Sequence, residues 1–236
     1  MNKHVHQEVQ KGSLTCHHGN MFGGKSTALI NQFRELSNVA DDKTIISIKK
    51  QTLYAEMKAE AFVHVRDNRY SQDSTSITTH DGDEIPAIPV ASAGELLRYV
   101  KEHQIDIIAI DEIQFFMERN EGGEWTIVSA LLNLLEQGKK IIVAGLTYDF
   151  RRLPFGPMGD ILLISNEHQM HLSECSICKQ PARYPQRLIN GKPAYKDEPL
   201  IKVGGSSDYQ PRCDKHHELP IRSVVIKRVA ATNHVS

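Results

Sequence analysis

Gly19-Asn20-Met21-Phe22-Gly23-Gly24-Lys25-Ser26 satisfies the pattern G-x-x-x-x-G-K-[ST], with Thr27 directly after it. A strand-like stretch from Leu14 to Cys16 precedes it and an amphipathic pattern follows Ser26, the strand-to-helix setting in which such a loop holds phosphates. Small residues let consecutive backbone N–H groups point into one concavity, and the helix N-terminus adds partial positive charge. Lys25 can then reach the outer phosphates, and the Ser26 hydroxyl can ligate Mg²⁺. A second element agrees: Ile107-Ile108-Ala109-Ile110 is an apolar strand signal ending in Asp111 and Glu112. Beside a phosphate loop the first acid lies near the metal, directly or through water, and the second is free to act as a base. An acidic pair after a strand is by itself an ordinary turn; the upstream loop turns the reading toward catalysis. His17 and His18 read as strand-end side chains with no catalytic role, and Cys16 as a buried small apolar residue.

Cys175-Ser176-Ile177-Cys178 and Cys213-Asp214-Lys215-His216 form two ligand pairs with 34 residues between them. Three thiolates and one imidazole match a closed, tetrahedral structural Zn²⁺ site with no open coordination position, so the metal is assigned a folding role. His217 could stand in for His216, although the spacing favours His216.

These groups need a scaffold to position them. At 236 residues the chain can bury a substantial core, and one large domain with a small satellite is expected: a phosphate-loop domain over residues 1–168, a ribbon over 169–222 and a tail over 223–236. Ile45, Ile46 and Ile48, then Ile107 to Ile110, then Ile141 to Ala144 are apolar runs suited to strands covered on both faces. Leu29, Ile30, Phe33 and Leu36 repeat at helical spacing, as do Trp125, Val128, Leu131, Leu132 and Leu135 ahead of a C-cap at Gly138. Ser92 and Glu95 predict a capping box opening a helix with Leu96, Leu97 and Val100. Such alternation predicts an α/β domain with a parallel sheet, the RecA-like arrangement of phosphate-loop proteins.

With 28 basic and 29 acidic side chains, the net charge of −1 gives no global attraction to nucleic acid or to an anionic membrane. No apolar run approaches the roughly 20 residues needed to cross a bilayer, and residues 1–12 lack an apolar stretch, so a soluble, cytoplasmic protein is expected.

The segments GNMFGGKST, DNRYS at 67–71, IDEIQFF at 110–116, AGLTYDFRRLPFGPMGD at 144–160, CSICKQPARYPQRLINGKPA at 175–194 and VGGSSDYQPRCDKHH at 203–217 together resemble the zinc-ribbon (type II) thymidine kinases. The resemblance covers most of the chain in order. It implies nucleotide salvage by transfer of phosphate from ATP, with Mg²⁺, to the 5′-hydroxyl of thymidine, in a homotetramer. By the same resemblance Glu112 is the base that takes the 5′-hydroxyl proton, Asp111 sits on the magnesium side, and Arg69 lies near the transferring phosphate. Met21, Phe115, Leu146 and Phe150 are implied as walls of a pyrimidine pocket, and Arg187 to Tyr209 as a lasso covering the nucleoside, anchored at both ends by the zinc ribbon. Within that lasso Val203, Gly204 and Gly205 have small side chains or none, so the backbone can present its own groups to the base edge. Such groups suit thymidine and deoxyuridine.

Three positions depart from the family. Asn20 stands where proline is usual, Pro185 where a threonine usually faces the thymine ring, and the stretch between Lys49 and Asp67 is longer, with QTLYAEMKAEAFV readable as an inserted surface helix. An alternative from another class is a nucleic-acid-binding phosphate-loop ATPase with the ribbon as docking module. The balanced charge and the lack of Lys/Arg runs with interleaved aromatics oppose it.

Overall fold

The computed structural model describes residues 11–37, 57–66, 75–201 and 208–222. Among these, six strands form one parallel sheet: β1 (Ser13–Gly19), β2 (Ala59–His64), β5 (Ile88–Val90), β6 (Ile107–Asp111), β7 (Lys140–Leu146) and β8 (Glu167–His171), in the order β5-β2-β6-β7-β1-β8. A short antiparallel pair, β3 (Ser76–Thr78) and β4 (Glu84–Pro86), lies between β2 and β5 in sequence.

The apolar runs of β6 and β7 are buried on both faces because each face meets its own helices. Ile107 and Ala109 point toward α1 (Lys25–Ser37), where Leu29, Ile30 and Phe33 pack on them with Ile142 and Ala144. Ile108 and Ile110 point the other way, into a cluster with Leu96 and Val100 of α2 (Ala93–His103), Ile127, Leu131 and Leu134 of α3 (Thr126–Glu136), and Met158 and Ile161 of α4 (Met158–Ile164). Period-two alternation thus becomes a three-layer α/β/α arrangement.

Local signals set the helix limits. The Ser92 hydroxyl accepts the Glu95 N–H at 3.1 Å, and the Glu95 carboxylate reaches back to the Ala91 N–H at 2.7 Å, a capping box displaced by one residue. At the end of α3, Gly138 takes φ 78 just beyond the C-cap Gln137. Its N–H meets Leu135 O at 3.0 Å while the Lys139 N–H meets Leu134 O at 3.1 Å, the Schellman pattern that glycine allows.

The helix expected over residues 51–63 is corrected by the structure. Residues 51–56 lie outside the described residues, and Ala59–His64 is β2, paired in parallel with β6 on one side and β5 on the other. Ala, Glu, Met and Lys favour helix, but propensity is a weak prior, and here two ladders of sheet hydrogen bonds and the burial of Ala61, Phe62 and Val63 override it. The strand expected at Ile45 to Ile48 lies outside the described residues.

The C-terminal elements are small: β9 (Ser173–Glu174) with β10 (Pro181–Ala182), and β11 (Tyr184–Ile189) flanked by β12 (Lys192–Pro193) and β13 (Tyr209–Arg212). The expected first unit, 1–168, stops inside β8, whose pairing with β1 carries the large sheet to His171.

Phe62 is fully buried in β2, its ring edge-on to Tyr99 of α2 with centroids 5.5 Å apart. Phe62→Ala is expected to lower the unfolding free energy by about 3–5 kcal/mol, read as a lower urea midpoint with unchanged m-value.

Candidate active site

β1 runs to Gly19, where a side chain would collide with β8: an added Cβ would lie 1.9 Å from His171 O. The chain then turns through Phe22 (φ 60) and Gly24 (φ 85) and enters α1 at Lys25. The Lys25 ammonium is buried and donates to Asn20 O at 2.7 Å. The Ser26 hydroxyl donates to Asp111 Oδ2 at 2.8 Å, so the two groups assigned to magnesium touch across the gap between β1 and β6. Asp111 Oδ1 accepts the Glu112 N–H at 2.9 Å.

Glu112 is buried and left-handed (φ 52, ψ 39), a conformation that costs a non-glycine residue about 1 kcal/mol or more and persists where surroundings impose it. Gln114 is one such surrounding. Its side-chain amide donates to Glu112 Oε2 while its Oε1 accepts the Leu146 N–H at 3.0 Å, which fixes the carboxylate against the end of β7. Gly145 makes room for it: a Cβ there would lie 2.7 Å from Gln114 Oε1.

Lys25, Ser26, Thr27 and Glu112 line one cavity of about 360 Å³ together with Met21, Phe22, Gly24 and Leu146. Of the expected pyrimidine walls, Met21 and Leu146 therefore face this space, whereas Phe115 and Phe150 are not among its lining residues, and neither is Tyr209 from the end of the expected lasso. Phe115 sits edge-on to Phe155, and Phe150 is buried beside the Arg187 guanidinium, 5.3 Å from its ring centroid. Gly19, Asn20 and Gly23 of the same loop are not among its lining residues, and Asn20 is fully buried. Arg69, Val203, Gly204 and Gly205 lie outside the described residues. Two features escaped the sequence reading. Gln114 was visible as a polar residue in the apolar run after Glu112, while Thr78 to Asp81, which line the cavity from the β3–β4 turn, carried no signal.

Cys175, Cys178, Cys213 and His216 converge, their ligand atoms all within 4.8 Å of one another. Cys178 Sγ lies 3.7 Å from Cys213 Sγ, and His216 Nδ1 lies 3.3 Å from Cys213 Sγ and 3.6 Å from Cys175 Sγ. These separations are the edges of a tetrahedron with bonds of about 2.0–2.3 Å, so the donor set fits zinc. Burial disfavours the Cys175 thiolate, but backbone N–H groups of Cys178, Cys213 and Ile177 outweigh it and bring the thiol down to about 5, which leaves it in the ligating form. His217 is not the ligand. Its Nδ1 accepts from Arg152 Nε at 3.0 Å, which joins the ribbon to the turn after β7.

His17 and His18 are strand side chains, as expected, and each faces a second histidine from β8. His17 Nδ1 is 3.1 Å from His171 Nε2 on the α1 side, and the His18 ring is 5.4 Å from that of His168 on the other. Burial, then neighbouring positive groups including Lys25, hold His18 and His171 down at about 4. Cys16, on the sheet face opposite α1, is fully buried and its thiol is pushed up to about 12 by that burial. Because both histidines are neutral when folded and titrate near 6.5 when unfolded, their contribution is complete above pH 6.5 and is lost as pH falls toward 4. Between pH 7 and pH 5 the unfolding free energy should fall by about 1–2 kcal/mol per histidine. His18→Gln should flatten that slope in denaturant titrations at the two pH values.

Among the described residues no helix is long and apolar enough to cross a membrane. Among solved structures, the flagellar accessory protein FlaH from Methanocaldococcus jannaschii has 13% identity over 69% of this chain and 72% of its own, with a TM-score of 0.41. A KaiC-like protein from Pyrococcus horikoshii OT3 has 19% identity over 73% and 77%, with a TM-score of 0.38. Both likenesses are distant. The family model described as thymidine kinase, by contrast, matches residues 12–217, a span that holds the phosphate loop, the Asp111-Glu112 pair and the cysteine cluster together. The chain belongs to the thymidine kinase family and is a kinase that phosphorylates a nucleoside with ATP.

Proposed function

We propose that the chain transfers the γ-phosphoryl group of ATP to the 5′-hydroxyl of thymidine, and of deoxyuridine, giving ADP and the 5′-monophosphate. The observation that carries this reading is the carboxylate of Glu112, held buried in a left-handed turn by Gln114 on the same cavity as Lys25 and Ser26. A base in that position can take the 5′-hydroxyl proton as the oxygen attacks the γ-phosphorus and the bond to the β–γ bridging oxygen breaks, leaving ADP. For this Lys25 exchanges the Asn20 carbonyl for the outer phosphates, where its charge follows the developing negative charge into the transition state. Ser26 and Asp111 would hold the magnesium that accompanies ATP, which neutralises phosphate charge when bound. Arg69 would lie near the transferring phosphate.

Met21, Phe115, Leu146 and Phe150 are assigned to the pyrimidine pocket, and Val203, Gly204, Gly205 and Tyr209 to a lasso over the nucleoside. Zinc held by Cys175, Cys178, Cys213 and His216 would fasten that lasso at both ends, since a metal clip offsets the closure entropy of the long loop between Cys178 and Cys213. Residues 1–168 and 169–222 are then the catalytic and nucleoside-covering units of a cytoplasmic homotetramer, a compartment that suits reduced metal-binding thiols.

Glu112→Gln keeps the shape of the side chain and removes the base, so kcat should fall by about 10²- to 10⁴-fold while ATP affinity stays near that of the parent. Turnover at the parent rate would remove Glu112 from its role. Base choice gives a second outcome. Thymine and uracil offer an O4 acceptor and an N3–H donor, whereas cytosine offers an amino donor and an N3 acceptor, so fixed backbone groups that suit the first pair stay unpaired against the second. Deoxycytidine should fall short of thymidine by about 10⁴ in kcat/KM, while a missing methyl group changes it by only about 10- to 200-fold. Equal kcat/KM for thymidine and deoxycytidine would overturn the lasso as the element that reads the base.

A further inference from the structure

Asn20 is fully buried, and each of its polar groups has a partner. Its backbone N–H donates to His171 O at 3.1 Å and its carbonyl accepts from Lys25 Nζ at 2.7 Å. In the side chain, Oδ1 accepts the Met21 N–H at 2.8 Å, and Nδ2 donates to Tyr184 O at 3.1 Å and Ala182 O at 3.3 Å. Those last two carbonyls belong to β10 and β11, across from the loop. Ala182 is itself fully buried and packs against Cys175, Cys178 and Cys213. One residue therefore stands between the phosphate loop and the sulfur ligands.

We propose that Asn20 is a positioning residue that couples the phosphate loop to the metal-loaded ribbon, so that nucleotide binding and metal retention strengthen each other. This rests on the reading of the loop as the ATP site and of the four-ligand cluster as a zinc site.

When Lys25 turns to the phosphates it gives up the Asn20 carbonyl, and the loop loses one of the bonds that hold it open. The left-handed Phe22 lies two residues on and depends on the bonds that remain. Two of those come from the ribbon. Their strength depends on where the Ala182 and Tyr184 carbonyls sit; Ala182 packs against the cysteines, so a metal ion that binds those thiolates fixes Ala182 and, two residues on, Tyr184. Without metal the carbonyls lose their fixed place and the occupied loop loses support. Equilibrium linkage then requires the converse: a filled loop, holding its two donors toward the ribbon, raises the ribbon's affinity for metal by the same factor. Two buried hydrogen bonds set that factor at about tenfold.

The test measures two affinities, neither of which is catalysis. Zinc affinity is taken by competition with a chromophoric chelator, with and without saturating Mg²⁺ and ATP, and the affinity of a fluorescent N-methylanthraniloyl ATP is taken before and after zinc is removed from the full chain. In the parent chain each should change the other by about tenfold. Asn20→Ser can still accept from Met21 but is too short to reach Ala182 and Tyr184, so both factors should fall to near one while one equivalent of zinc remains bound. Asn20→Ala should behave alike, and if only one variant folds, that one decides. A residue that merely stabilises the fold would lower the melting temperature and leave the factors unchanged, and an unchanged factor in a folded variant overturns the coupling. A parent chain that binds zinc and nucleotide independently also overturns it while the functional reading stands. A parent chain that binds neither overturns the functional reading itself.

Discussion

The parallel pairing of β1 with β7, in register from Ser13 opposite Lys140 to Gly19 opposite Leu146, is the constraint on which the catalytic end depends. β7 in turn pairs with β6, so the phosphate loop and the Asp111-Glu112 turn emerge one strand apart at the same edge. A slip of one residue would send Ile141 and Val143 to the α1 face and Ile142 and Ala144 to the opposite helices, so two separate apolar layers hold the register. The Ser26–Asp111 hydrogen bond exists because that register holds. In an open parallel sheet, the crevice beyond the strands' carboxyl ends is where ligands are received.

The same edge concentrates charge in a poorly hydrated place. Lys25, Asp111 and Glu112 are all buried, and buried ions are tolerated only when paired or well hydrogen-bonded. Lys25 rests on a carbonyl, Asp111 receives a hydroxyl and an N–H, and Glu112 receives the Gln114 amide. Each contact holds a charge in the orientation a phosphoryl group would need. Nearby, burial first, and then neighbouring positive groups including Lys25, hold His18 of β1 and His171 of β8 neutral.

Much of this was legible in the sequence because local rules carried it. The phosphate loop, the strand ending in two carboxylates, the capping box at Ser92, the glycine stop at Gly138 and the ligand spacing of the cysteines are short-range patterns, and the three layers of the fold follow from them. What escaped depends on distant partners. β2 is written in helix-forming residues and becomes a strand only between β5 and β6. β8, with Glu167 to Met170 exposed, has no apolar alternation to announce it and is fixed by its ladder to β1. Gln114 gains its role from Leu146, 32 residues away, and the choice between His216 and His217 is made by Arg152.

The separation between Asn20 and its partners has a consequence for the order in which the molecule is made. The carbonyls that receive its side chain lie 162 and 164 residues further along the chain, and β8 supplies the contact at His171 only slightly earlier. Chains emerge from the ribosome N-terminus first, at about 5–20 residues per second. The phosphate loop is therefore synthesised early and completed last, with some ten seconds or more in which helix α1 and strand β1 exist without the neighbours that shape the turn between them. A nascent chain that can already hold secondary structure still lacks the two bonds that support the loop from the ribbon, and the assembly of the ribbon supplies them.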